Sequence, residues 1–174
     1  MLTVIIPTRE SERALVQTLS PLVAGATAGL IAQVIVADAG SRDATAEVAE
    51  IAGCVFLRGE RPVGARLKAA ADLAKTPWLL FLRPGTILDV GWLEAVDAFM
   101  RSDGEAASFR PADGGGFLRR LLRPRAHPDQ GLLIRKRAYD AAGGHPASDD
   151  TEAALIGRLG RVALLGATAR RAIT

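Results

Sequence analysis

The chain has 174 residues, 49% of them apolar and 24% charged, which suits one domain with its own core and excludes a disordered chain. No apolar run reaches the roughly 18 residues that span a bilayer, and the one cysteine, Cys54, excludes an internal disulfide and fits a reducing compartment. The net charge of +3 and pI near 9.6 are mildly basic, but aromatic residues are only 5%, too few for a groove that stacks nucleic-acid bases.

The chain enters a strand directly, with no basic region or cleavage site of a signal peptide, so the cytoplasm is the expected location. Residues 2–6, Leu2-Thr3-Val4-Ile5-Ile6, are that strand. Pro7 closes it because proline cannot continue a central ladder. Residues 11–19 place Ala14, Leu15, Thr18 and Leu19 at helical spacing until Pro21 interrupts or restarts the helix. A second strand at 33–37 runs into Asp38-Ala39-Gly40-Ser41-Arg42-Asp43, and a helix at 43–52 follows, with Ser41 or Asp43 as its cap and Gly53 as its stop. Residues 54–57 give a third strand. The loop 61–66 leads into a helix reaching about residue 75, where Ala69-Ala70-Ala71 permits close packing.

Residues 78–82 are strongly apolar and read as a central strand ending at Arg83-Pro84-Gly85. A helix at 92–100 and a strand at 105–109 follow, then a glycine hinge at 113–116 and a basic stretch at 117–125. That stretch begins a run of cations, Arg119, Arg120, Arg123, Arg125, Arg135, Lys136 and Arg137. It reads as a solvated face or as a contact for phosphate groups or an anionic membrane. A strand at 131–135, a short helix at 136–142 stopped by Gly143-Gly144, a helix at 149–159 and a strand at 161–165 complete the chain. No repeat and no long linker divides residues 1–174.

Strands alternating with helices predict an α/β fold with a parallel sheet. The first two strands form a βαβ unit whose loops, 7–10 and 38–43, share one sheet edge. Ligands of such sheets bind beyond the carboxyl ends of the strands. Asp38 at a strand end either accepts hydrogen bonds from a ribose or base N–H or orders Ala39-Gly40 through an Asx turn. Thr8 and Glu10 sit at the same edge, and Glu10 also suits the start of a helix as a charge matched to its dipole. Arg61 and Arg66 flank Gly64 at a loop-to-helix junction, where amides and dipole favour anions; exposed first-turn arginines are the plainer alternative. Asp149-Asp150-Thr151-Glu152 reads as a capping box that uses Asp149 and Glu152 and leaves Asp150 without a structural role. Asp129-Gln130-Gly131 is a turn before a strand. His127 and His145 have no metal-ligand spacing. Neither a Gly-X-Gly-X-X-Gly nor a P-loop follows strand one, which disfavours a Rossmann dehydrogenase.

In order, Val4-Ile5-Ile6-Pro7-Thr8, Val34 to Thr45, Gly64-Ala65-Arg66-Leu67-Lys68-Ala69-Ala70, Trp78-Leu79-Leu80-Phe81-Leu82, Gly91-Trp92-Leu93, Asp129-Gln130-Gly131 and Asp149-Asp150 resemble the family 2 glycosyltransferases, especially their short soluble bacterial members. The resemblance implies a GT-A fold, a Rossmann-like, mostly parallel sheet flanked by helices, with a nucleotide-binding half at 1–100 and an acceptor-side half at 101–174. It implies transfer of a sugar from a nucleoside-diphosphate sugar to a hydroxyl acceptor with inversion. Pro7, Thr8, Glu10, Asp38, Gly40, Arg61 and Arg66 would surround the nucleotide sugar; Asp129, Gln130 and Asp149 would face the acceptor; Asp150 would be the base. A lipid-linked acceptor would bring the protein to the inner face of a membrane, through the amphipathic run Phe117-Leu118-Arg119-Arg120-Leu121-Leu122-Arg123. Core packing of Leu118, Leu121 and Leu122 is the stronger reading of that run, and no nucleic-acid partner is expected.

One departure matters. After the strand ending at Leu82, the family carries an acidic motif, Asp-X-Asp or His-Ala-Asp, that holds Mg²⁺ or Mn²⁺ against the departing diphosphate. Here those positions are Arg83, Pro84 and Gly85, and hard divalent cations need oxygen ligands. Asp89 lies beyond Thr86 and reads as a turn residue. Two readings follow. In one, Arg83 replaces the metal and catalysis survives without it. In the other, the fold persists as a catalytically inactive nucleotide-sugar-binding or interaction protein.

Overall fold

The computed structural model describes residues 1–112, 128–149 and 151–172. Its first half alternates strongly: β1 (Leu2–Thr8), α1 (Glu12–Thr27), β2 (Ile31–Asp38), α2 (Thr45–Ile51), β3 (Val55–Arg58), α3 (Val63–Leu73) and β4 (Trp78–Phe81). β1 pairs in parallel with both β2 and β4, and β2 with β3. β-Branched and leucine-rich runs buried on both faces form such strands because the crossover helices cover each side. Along β1 the side chains alternate: Val4 and Ile6 join the core under α1 and α4 (Trp92–Met100), with Leu15, Leu22, Trp92 and Val96. Ile5 joins the opposite core, with Leu67, Ala70 and Ala71 of α3.

The second half is mixed in direction. β5 (Thr86–Leu88), β6 (Ala106–Pro111), β7 (Leu132–Arg135) and β8 (Ala163–Arg171) extend the sheet to the order β3-β2-β1-β4-β7-β6-β8-β5. β7 runs antiparallel to both β4 and β6, and β5 antiparallel to β8, whereas β6 and β8 are parallel. A short 3₁₀ turn (Pro128–Gln130), α5 (Lys136–Ala141) and α6 (Glu152–Arg158) complete the described elements. None of the described helices is long and apolar enough to cross a membrane.

Several local expectations change. α1 does not stop at Pro21 but continues to Thr27. The proline removes one amide donor on a half-buried turn, while its carbonyl accepts a bond from the Trp92 indole at 3.3 Å, and the packing of Leu22 and Gly25 beyond it holds the helix together. Gly25 is required there, since a Cβ would lie 2.7 Å from the Trp92 ring. Neither Ser41 nor Asp43 occupies the cap position of α2, which falls to Ala44 with no side-chain cap bond. The capping box before α6 does not form either: Thr151 holds the cap position without a side-chain cap bond, its hydroxyl donating to the Pro146 carbonyl instead, and Asp149 and Glu152 turn to other partners. The hinge at 113–116, the basic stretch at 117–125, His127 and Asp150 lie outside the described residues.

Candidate functional site

The carboxyl ends of β1 and β4 open into a cleft of about 500 Å³. The parallel register sets Thr8 beside Asp38. Asp38 is fully buried, and its carboxylate accepts four hydrogen bonds from the chain itself. One oxygen takes the Thr8 hydroxyl at 2.8 Å and the Ser41 hydroxyl; the other takes the Gly40 amide at 2.8 Å and the Ser41 amide at 2.7 Å. A carboxylate has about four acceptor positions, so all are used. Burial opposes its charge, but the bonds from Ser41, Thr8 and Gly40 prevail and hold Asp38 below the usual carboxylate range. Of the two roles open to it in the sequence, the Asx-turn role is the one this geometry displays, and a nucleoside would have to displace an internal donor to reach it.

The Asp38 cluster also fixes the preceding loop. The Ser41 hydroxyl accepts the Glu10 amide at 2.8 Å, and the Glu10 carboxylate accepts the Arg42 amide at 2.9 Å. Glu10 adopts φ 46°, a left-handed conformation uncommon for a residue with a side chain, and these two bonds hold it there. Gly40, at φ 88°, supplies the turn that lets the Asp38 carboxylate meet its own downstream amides. Pro7, Thr8 and Glu10 line the cleft.

Arg66 reaches the cleft from α3 with its guanidinium turned inward. It donates to the carbonyls of Thr8 at 3.2 Å, of Ala37, and of Arg61 at 3.1 Å. Burial draws its pKa down, opposed by Asp38 and Asp149. Arg61 itself is exposed, and its carbonyl rather than its charge meets Arg66. The first amides of α3 already have acceptors, Val63 the Asp149 carboxylate at 3.3 Å and Gly64 the Ser148 carbonyl at 3.1 Å. The loop before α6 is therefore pressed against the start of α3. A Cβ on Gly64 would lie 1.7 Å from the Pro146 oxygen and 2.5 Å from the Thr151 hydroxyl.

Across the cleft stands Arg83. Its Nε donates to Glu152 at 2.6 Å and its Nη1 to Asp129 at 2.9 Å. The Glu152 side chain is only 7% exposed, against 39% for Arg83 and 40% for Asp129. Burial alone would lower the arginine's pKa, but Glu152 and then Asp129 outweigh it and raise it. Arg171, at the end of β8, lies 3.5 Å from the same Asp129 oxygen. The turn after β4 supplies no carboxylate of its own, and the two acids facing it are bonded to a cation already. Among the described residues no group of three potential ligands converges on a metal position. Among the described residues, the donors at this turn do not fit the divalent ion that the resemblance implies there.

The structure thus gathers Pro7, Thr8, Glu10, Arg66, Arg83 and Asp149 around one cleft; Asp38 and Gly40 do not line it but are tied to it through the Thr8 hydroxyl, and Asp129 lies against Arg83. Gln130 is half-buried in the 3₁₀ turn, with its side-chain oxygen buried. Glu152 and Arg171 also line the cleft. In the sequence a capping pattern accounts for Glu152, and Arg171 carries no local motif; the pairing of β8 with β5 brings it here.

The sequence profile described as Glycosyl transferase family 2 matches residues 3–157. None of the curated proteins matches the chain in sequence. Among solved structures, TarS (1–349) of S. aureus superposes at a TM-score of 0.78 with 16% identity, over 98% of this chain and 60% of that one. The mannosyltransferase PcManGT of Pyrobaculum calidifontis, in complex with GDP-Man and Mn²⁺, gives 0.75 with 16% identity, over 99% and 57%. Glucosyl-3-phosphoglycerate synthase of Mycobacterium tuberculosis, in complex with Mn²⁺, UDP and glucosyl-3-phosphoglycerate, gives 0.72 with 16% identity, over 94% and 68%. The present chain spans about 60% of the length of the TarS fragment it resembles. These likenesses concern the fold, and the profile match covers most of the sequence: the chain belongs to glycosyl transferase family 2 and has its GT-A architecture.

Proposed function

We propose that this protein transfers a sugar from a nucleoside-diphosphate sugar to a hydroxyl acceptor with inversion, using Arg83 where its relatives use a metal. The observation that carries the reading is the Arg83 guanidinium, fixed by Glu152 and Asp129 at the strand-end turn where the family places its acid. The TarS fragment has been seen with UDP and with UDP-GlcNAc, and PcManGT with GDP-Man, which supports a uridine or guanosine diphosphate sugar as donor. Mn²⁺ accompanies the nucleotide in PcManGT and in the mycobacterial synthase; the residues here call for a different counter-charge.

In this reading the acceptor hydroxyl attacks C1 of the sugar while the bond from C1 to the diphosphate oxygen breaks. Asp150 takes the hydroxyl proton, a role worth roughly 10² to 10⁴ in rate. Its neighbours Asp149 and Thr151 line the cleft. The leaving diphosphate gathers charge, and Arg83 meets it, as arginines do in other phosphate chemistry with effects of about 10³ to 10⁵. Thr8, Arg66 and the loop ordered by Asp38 hold the nucleoside side. We place the reaction in the bacterial cytoplasm, with a lipid-linked acceptor at the inner membrane face if the basic stretch at 117–125 is a contact.

The test is calorimetric titration with UDP, GDP and dTDP, each with Mn²⁺ and with EDTA, followed by a donor and acceptor screen. Binding that persists in EDTA and is lost in Arg83→Ala, with turnover lost in Asp150→Asn, is the expected result. Binding that requires Mn²⁺ refutes the role given to Arg83. One observation favours a second reading: Arg83 is already neutralised by two carboxylates, as in a binding protein that no longer needs the charge for chemistry. Nucleotide binding without turnover of any donor would establish that reading.

A further inference from the structure

We infer that Arg171 is a second cation for the diphosphate, forming with Arg83 a two-guanidinium clamp whose central position is held by the Asp129 carboxylate when no nucleotide is bound. This rests on the nucleotide-sugar reading above and extends it to a residue outside the sequence motifs.

The argument begins with strand pairing. Arg171 lies opposite Thr86 in the antiparallel pairing of β8 with β5, and the Ala172 amide donates to the Gly85 carbonyl at 2.8 Å. Gly85, at φ 83°, is in turn tied to α1, its amide donating to the Thr18 hydroxyl at 2.8 Å. The last described strand is thereby zipped onto the Arg83-Pro84-Gly85 turn, and both arginines enter one cleft from adjacent backbones. They converge on a single oxygen of Asp129, Arg83 at 2.9 Å and Arg171 at 3.5 Å. Two like charges brought together at one acceptor repel each other, and an anion between them offsets that repulsion. Of the five N–H donors on each guanidinium, the named partners use two on Arg83 and one on Arg171. Both side chains remain open to the cleft, 39% and 52% exposed. Planar forks with donors to spare match phosphate oxygens in the bidentate manner that a lysine does not reproduce.

The cleft's charge supports the same conclusion. Arg9, Arg66, Arg83 and Arg171 line it with Glu10, Asp149 and Glu152. Arg66 spends its donors on backbone carbonyls, and the Glu10 carboxylate accepts the Arg42 amide. In the Arg83–Asp129–Arg171 cluster an incoming anion meets two guanidiniums that share the Asp129 carboxylate, with Glu152 bonded to the Arg83 Nε.

The experiment is calorimetry in EDTA with inorganic pyrophosphate, UDP and GDP, with uridine and guanosine as uncharged controls, and circular dichroism to confirm that each variant is folded. Arg171→Gln is expected to weaken pyrophosphate and the nucleoside diphosphates about tenfold, the loss of one charge-assisted bond, and to leave the nucleosides unchanged. Arg171→Lys falls between. Asp129→Asn is expected to tighten diphosphate binding severalfold, an effect that a merely structural carboxylate would not give. Unchanged diphosphate affinity in folded Arg171→Gln overturns the clamp while leaving the nucleotide reading intact, and so does weaker binding in Asp129→Asn. A wild-type protein that binds neither nucleosides nor diphosphates refutes both.

Discussion

Arg83 offers a quantitative check, because its two partners differ sharply in environment. The bond to Glu152 is 2.6 Å long and joins a carboxylate that is only 7% exposed. A hydrogen bond to a charged group contributes about 1.5–3 kcal/mol, and removing one member of a buried pair costs about 3–5 kcal/mol. Arg83 is itself 39% exposed, so water relieves part of that cost, and about 2–3 kcal/mol is the expected share of Glu152. The bond to Asp129, 40% exposed at 2.9 Å, belongs with open pairs worth about 0.2–1 kcal/mol. Arg83→Ala should therefore lower stability by about 3 kcal/mol. Urea unfolding followed by the fluorescence of Trp78 and Trp92 reads this directly. In double-mutant cycles with Glu152→Gln and Asp129→Asn, the Glu152 coupling should be about 2 kcal/mol and the Asp129 coupling below about 1 kcal/mol. Two couplings under about 0.5 kcal/mol, or a larger one for Asp129, would refute the assignment of Glu152 as the anchor of this arginine.

Other consequences are sharper in sign than in size. Gly64→Ala forces a Cβ to within 1.7 Å of a backbone oxygen, so it should cost more than about 3 kcal/mol, whereas Gly59→Ala, with open space around it, should stay within about 0.5 kcal/mol; thermal melts of the two compare them. Asp38→Asn puts an amide among four donors and should cost about 2–3 kcal/mol, a fall of roughly 5–10 °C in Tm, with Thr8→Ala milder in the same melt. Burial holds the His145 imidazole neutral, its pKa pushed down to about 4 from the ordinary 6.5. The stability gained by keeping it neutral is fully present above pH 6.5 and is lost as the pH falls through 4, about 3 kcal/mol in all. Unfolding free energies between pH 7 and 4 should show that slope, and His145→Asn should flatten it.

The parallel half of the fold was legible because its signals are local. β-Branched runs ended by Pro7 or by Asp38-Ala39-Gly40 announce strands and their edge, and the register then places Thr8 against Asp38 without further information. The start of the second half was harder to read. β5 is three residues long and owes its existence to pairing with β8, more than eighty positions away. The same separation hid Arg171. Asp149 and Glu152 match a capping pattern that depends only on spacing, yet tertiary partners outcompete it: the Val63 amide attracts Asp149 and the Arg83 guanidinium attracts Glu152. Asp38 was legible as a key residue because a strand-end carboxylate before glycine has two uses, and only the folded structure reveals that its own loop and Thr8 together take every lone pair.

The placement of β8 has a consequence for the order in which this protein can become competent. Strands β1 to β4 and their helices precede β8 in synthesis and pair among themselves, so the edge formed by β1 and β2 can assemble on a partly made chain. The Arg83 turn is different. Until residues 163–171 have emerged, β5 lacks the strand it pairs with, and the guanidinium at position 171 does not yet exist beside the one at position 83. Synthesis thus builds the floor of the cleft before the wall that carries Arg83 and Arg171, so the two guanidiniums meet only once the pairing of β5 with β8 has closed.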